Sequence, residues 1–197
     1  MLAKDKFLEK INLLILIFIL CFSHTLNAEN IHEKIFKYND KLKNSSVNFI
    51  QTNVNNIQEG VIYFGNKRIK INYNNPQKIT IILSEKKGVY INHELKESNF
   101  FATKNSYVKF FYNVFHKKSY LEKLVIVDSN DKIEISEEIK LDDIFYKIAL
   151  VYENSPINLR RLTIIENDEK TQMGFFSHNF EQVFEKNFFS MIDPYLN

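Results

Sequence analysis

Residues Arg68–Tyr73 alternate without a break: Ile69, Ile71 and Tyr73 fall on one side of an extended chain, and Arg68, Lys70 and Asn72 on the other. A period of two predicts an antiparallel strand with one buried and one wetted face, because successive side chains of a strand point in opposite directions. Two similar runs precede it. In Ser46–Thr52, Val47 and Phe49 alternate with polar residues, and Gly60–Phe64 is rich in Val, Ile, Tyr and Phe. Pro76 closes the series, since it has no N–H for a sheet ladder. The chain from Ser46 to Pro76 is therefore read as three consecutive antiparallel strands.

The first residues follow a different logic. Lys4, Lys6 and Lys10 precede the apolar run Leu13 to Phe22, and Ala28 offers a small residue for cleavage, so residues 1–28 are expected to be a cleaved export signal. An apolar run of about ten residues is half the roughly twenty needed to span a bilayer. Cys21 is the sole cysteine and lies within that run, so residues 29–197 offer neither a disulfide nor a thiol nucleophile. Leu20 stands where a small residue usually precedes a lipidated cysteine. Removing the segment takes away three lysines with Asp5 and Glu9 and lowers the net charge from +2 to +1. So small a charge supplies no field for nucleic acid. The expected product is exported, soluble and unanchored, and the small charge without an anchor suits a monomer.

The remainder, residues 29–197, is read as a single domain. Glu29 to Lys43 predicts a helix, with Asn30 and Glu33 spaced as a capping box and Ile31, Ile35, Tyr38 and Leu42 on one stripe. Further strands are expected at Ile79–Ser84, Gly88–Asn92, Ser98–Thr103, Leu124–Asp128, Lys132–Glu137, Phe145–Tyr152, Leu159–Glu166 and Thr171–Phe176. Short strands at about ten-residue spacing predict a mainly β fold (α+β), a large antiparallel sheet or open barrel. Ser106 to Phe115 breaks the pattern by placing Tyr107, Phe110, Phe111, Val114 and Phe115 at helical spacing.

Familiar catalytic and metal signatures are missing. The histidines, at 24, 32, 93, 116 and 178, have no partners at ligand spacing, and there is no nucleophile elbow, phosphate loop or dinucleotide fingerprint. The pairs Glu137-Glu138 and Asp142-Asp143 are read as solvated, because neighbours in a strand point to opposite faces. No enzyme activity, cofactor or metal is expected. What the chain has in surplus is aromatic residues, 18 Phe and 10 Tyr. A broad sheet covered by two short helices has more apolar inner face than a small core fills, which admits a greasy cavity as readily as a tight core.

The order of these motifs resembles the LolA family of periplasmic outer-membrane lipoprotein carriers. The likeness runs through Phe49-Ile50-Gln51, Gly60-Val61-Ile62-Tyr63, Arg68-to-Tyr73 and Pro76. It continues in Ile81-Ile82-Leu83-Ser84, Val89-Tyr90, Leu159-Arg160-Arg161-Leu162, Asp168, Thr171 and the tail from Phe188-Phe189 to Asp193-Pro194. Two features depart from that pattern. Gly65 and Asn66 occupy the positions of the family's Arg-Pro pair, whose arginine latches a helical lid, and Ser106-Tyr107 replaces a Thr-Pro pair at the start of the lid.

The resemblance implies an unclosed β-barrel with helices on its concave side. It also implies a role: acyl chains of lipoproteins would be taken from an inner-membrane transporter and passed to an outer-membrane acceptor. The corresponding lipid cavity would involve Phe49, Ile62, Phe64, Ile69, Ile71, Tyr73, Ile81, Leu83 and Tyr90, with Tyr107, Phe110, Phe111 and Val114 as the lid and Arg68 as its latch. Parity alone does not say which of these line a cavity and which pack a core. Two rival readings are a periplasmic lipid- or lipoprotein-sensing regulatory domain of the same fold and an exported lipid hydrolase using Ser84, Ser106 or Ser136.

Overall fold

The structure, a computed structural model, describes residues 30–196. The expected signal segment, with Cys21 and His24, lies outside the described residues. Helix α1 (Ile31–Leu42) leads into six strands joined by short turns: β1 (Ser45–Thr52), β2 (Ile57–Phe64), β3 (Ile69–Asn75), β4 (Ile79–Leu83), β5 (Lys87–Asn92) and β6 (Glu97–Ala102). A helical crossover follows, made of a 3-10 turn (Thr103–Asn105), α2 (Val108–His116) and α3 (Lys118–Leu121). Five more strands complete the fold: β7 (Val125–Asp128), β8 (Lys132–Leu141), β9 (Ile144–Asn154), β10 (Ile157–Glu166) and β11 (Glu169–Asn179).

All eleven strands form one antiparallel sheet, ordered β6-β5-β4-β3-β2-β1-β11-β10-β9-β8-β7. It is not closed: β6 and β7 are free edges, and the helical crossover runs from one edge to the other. Strands lie about 4.8 Å apart, so a flat sheet would put β4 and β9, six places apart in this order, about 29 Å from each other. Ile81 and Leu83 of β4 nevertheless line the same cavity as Ile148 of β9. The sheet therefore curls around its helices as an open barrel.

Register decides which residues face inward. Ile62, Ile71 and Ile81 lie side by side across β2, β3 and β4, as do Phe64, Ile69 and Leu83. The expected parity holds: Ile69 and Ile71 are buried and Tyr73 packs on the same core, while Lys70 points to the other face. Gly60 serves this close packing. A Cβ there would come within 2.0 Å of the Asn72 carbonyl oxygen and 2.7 Å of the Phe49 ring, so only glycine lets β2 and β3 approach.

The helices cover the inner face. Ile35, Tyr38 and Leu42 of α1 are buried in the main core with Phe110, Phe111, Val114 and Phe115 of α2. Each such side chain contributes roughly 1.5–3 kcal/mol by leaving water. Two polar residues bolt α1 in place. Asn39 donates to the Val114 carbonyl (2.9 Å) and accepts from the Tyr152 hydroxyl (3.3 Å). The Tyr38 hydroxyl donates to Asn158 (3.0 Å) and accepts the backbone N–H of Leu159 (2.9 Å), next to an irregularity in the β9–β10 register. Burial pushes the Tyr38 phenol up to about 12, so it stays a neutral donor.

The last residues strap the outer face. Gln182 bonds Asn44 and Ser46 (2.6 and 2.8 Å), the Lys70 ammonium lies 4.2 Å from the Phe188 ring centroid, and Met191 joins Ile82, Val89 and Ile91 in a second apolar cluster. We expect Gly60→Ala to destabilise the protein by about 1–3 kcal/mol through overpacking. Urea unfolding followed by circular dichroism checks it, and an unchanged midpoint would refute the close-approach argument.

Candidate functional site

A cavity of about 250 Å³ opens between the inner face and the first turn of α2. One wall comes from β2–β4 through Ile62, Ile71, Tyr73, Ile81 and Leu83; the opposite wall comes from β9–β11 through Ile148, Leu162, Ile164, Thr171 and Met173. Tyr107, Val108 and Phe111 of the crossover form the roof, and Gln51, Glu166 and Glu169 the polar rim.

Seven of the residues expected from sequence meet here: Ile62, Ile71, Tyr73, Ile81, Leu83, Tyr107 and Phe111. The others serve the surrounding core. Phe49 packs edge-on against Tyr73 with centroids 5.1 Å apart, Phe64 packs on Phe115 at 4.9 Å, and Ile69 is fully buried. Phe110 turns toward Tyr120, and Val114 is buried beneath α1, its carbonyl held by Asn39. Tyr90 shares the inner face through its pairing with Ile81 but stands outside the cavity lining.

Arg68 does not latch the helix. Its guanidinium donates to the carbonyl of Phe189, so it holds the tail on the outer face. The contact to α2 comes from α2 itself. His116 has Nε2 3.1 Å from the Gly65 carbonyl and Nδ1 3.1 Å from that of Tyr112, and the Tyr112 hydroxyl donates to the Lys67 carbonyl at 3.1 Å. The Tyr112 ring stacks on the imidazole, centroids 4.4 Å apart. The β2–β3 turn, where the resembled family carries its arginine, thus supplies backbone oxygens to the helix. Sequence reading misses this because a lone histidine has no signature.

The rim is built from ordinary hydrogen bonds. Tyr73 donates to Gln51 (2.9 Å), Gln51 donates to Gln58 (2.8 Å), and Tyr146 donates to Glu166 (3.1 Å). Burial first, then Glu166, holds the Tyr107 phenol above its usual range, so it remains neutral. A second cleft of about 320 Å³ on the other side of α2 mixes Lys104, Lys109 and Lys140 with Glu137 and Glu138. Phe110, Tyr120, Ile139 and Leu141 also line it. Glu137 and Glu138 point apart as expected, the former accepting from Tyr120 and the latter pairing with Lys147 at 3.5 Å. Among the described residues no group of His, Cys, Asp or Glu is placed to hold a metal ion.

No family model matches the chain, and no curated protein matches it in sequence. Solved structures do. An uncharacterised conserved protein from Thermus thermophilus superposes with a TM-score of 0.53 at 6% identity, over 83% of this chain and 93% of that one, so the two share a fold. MucB in the Pseudomonas aeruginosa MucA/MucB complex aligns more loosely, with a TM-score of 0.45 and 9% identity over 81% of this chain and 59% of that one. LprF from Mycobacterium bovis aligns at 0.38 with 13% identity, over 79% and 94% respectively.

Burial, which outweighs its two carbonyl contacts, lowers the His116 pKa, and nearby Lys43 adds to the effect. The unfolded imidazole titrates near its ordinary value of about 6.5. Stability is thus fully present above that pH and is lost as pH falls through the lowered folded pKa. His178, also lowered chiefly by burial, acts in the same direction. The melting temperature should fall between pH 7.5 and 5.5, and His116→Gln should flatten that slope; an unchanged slope in calorimetry would remove His116 from the account.

Proposed function

We propose that this protein is an exported carrier of lipidated proteins that shields their acyl chains between α2 and the inner face of the sheet. The observation that carries the reading is the cavity: aliphatic walls from both halves of the sheet, roofed by a helix held through packing and a few hydrogen bonds. The ordered motifs from Phe49 to Pro76 add support through their resemblance to lipoprotein carriers. The protein works as a periplasmic monomer that collects cargo from an inner-membrane transporter and yields it to an outer-membrane acceptor. It catalyses no covalent change and requires no cofactor.

The physics suits reversible carriage. Each buried methylene is worth about 0.8 kcal/mol, so partial burial suffices to keep an acyl chain in water. At about 250 Å³ the cavity is smaller than the roughly 300–1,000 Å³ of ligand pockets. Cargo therefore enters by displacing α2, and the acyl chain takes the place of Phe111 and its neighbours. Because the displaced rings pack back when cargo leaves, release does not strand an empty apolar surface.

Ile71 lies at the centre of the wall between Ile62 and Ile81. Gently purified wild-type protein should carry triacylated lipoproteins detectable by mass spectrometry, and Ile71→Glu should carry about tenfold less or none. An empty wild-type protein that extracts no lipoprotein from vesicles would overturn the proposal.

A further inference from the structure

Glu166 and Glu169 are directly opposite each other at the end of the β10–β11 hairpin, and both line the rim of the apolar cavity. Parity explains why: Glu166 continues the inward face of Leu162 and Ile164, and its cross-strand partner continues that of Thr171 and Met173. Like charges placed directly opposite in a sheet repel. No lysine or arginine is among the lining residues, Lys170 takes the opposite face beside Ile165, and among the described residues neither carboxylate joins an ion pair. Among the described residues the polar contact to this pair is the Tyr146 hydroxyl on Glu166, while Gln51 and Thr171 complete the rim with neutral groups.

An amphiphile whose chain fills the cavity must leave its polar end at this rim. We propose that Glu166 and Glu169 are specificity residues that select acyl or alkyl chains bearing an ammonium group next to the chain and disfavour those ending in an anion. This rests on the carrier reading and deepens it by naming the class of head group. An ammonium between the two carboxylates gains attraction from both and cancels their mutual repulsion, whereas a phosphate or carboxylate adds a third negative charge. The rim is open to water, so the discrimination depends on ionic strength.

The test uses the chain 29–197 at pH 7 and displacement of the uncharged dye N-phenyl-1-naphthylamine by dodecylamine, dodecanol and dodecanoate. Dodecylamine should bind about tenfold tighter than dodecanoate, with dodecanol between them. In Glu166→Gln/Glu169→Gln the difference should collapse while dodecanol binding, which also reports correct folding, is retained. Raising the salt should narrow the wild-type difference. A palmitoylated peptide with lysines after the lipidated residue, set against its glutamate counterpart, separates sources: discrimination there assigns the ammonium to a lipidated chain, and its confinement to dodecylamine assigns it to a free aminolipid. Equal binding of amine and carboxylate would overturn the inference and leave the carrier reading standing. Failure of all three to displace the dye would overturn both.

Discussion

The inner face of the sheet is the constraint on which everything else depends. Eleven curled strands present more apolar surface than two helices of 12 and 9 residues bury tightly. Coverage is supplied by the one connection long enough to cross between the free edges, the segment from Thr103 to Leu124. That segment carries Phe110, Phe111, Val114 and Phe115 into the core and leaves a gap where its first turn meets both walls. The cavity is thus a consequence of how short the covering helix is. The same helix forms the roof and holds it down, through Tyr112 and His116 at its far end.

Much of the fold is legible in single strands. The alternation of Arg68–Tyr73 predicts a strand and its buried side, and the aromatic spacing after Ser106 predicts α2, which starts two residues later and runs to His116. The near wall of the cavity is legible for the same reason. The far wall does not stand out: Leu162 and Ile164 flank Thr163, but Ile165 and Glu166 break the alternation that β3 keeps. Placing them opposite β3 requires the β1–β11 pairing, a contact between the two ends of the domain that no local pattern announces. Nor does parity separate a cavity wall from a core layer, which is why it groups Phe49, Phe64 and Ile69 with residues they support.

Arg68 shows a different limit. Its position beside the β2–β3 turn suggests a latch for the helix, and it is one residue away from the carbonyl that Tyr112 holds. Strand parity then carries its neighbour Lys70 to the outer face, where both cations meet carbonyl oxygens of the tail. The turn is accordingly clamped from two sides: backbone oxygens receive the helix within, and side-chain cations receive the tail without. The groups that meet the turn from within are an imidazole and a phenol, whose burial favours neutrality, and those that meet the tail are cations.

The pairing of β1 with β11 also governs how the chain comes together in time. The first sheet half, β1 to β6, is made of neighbouring strands and forms from local contacts, but its β1 edge stays open until the last strand has been made. Contacts between distant parts of a chain are slow to form, and an open edge is a template for foreign strands. The turn at Asn44 takes part in the remedy, because its carbonyl receives Gln182 just beyond β11 and so fastens the seam as soon as it is laid. A chain cut short before β11 would lack the partner of β1 and display that strand as a sticky margin, so the residues from Glu169 onward protect the N-terminal half of the sheet from its own surroundings.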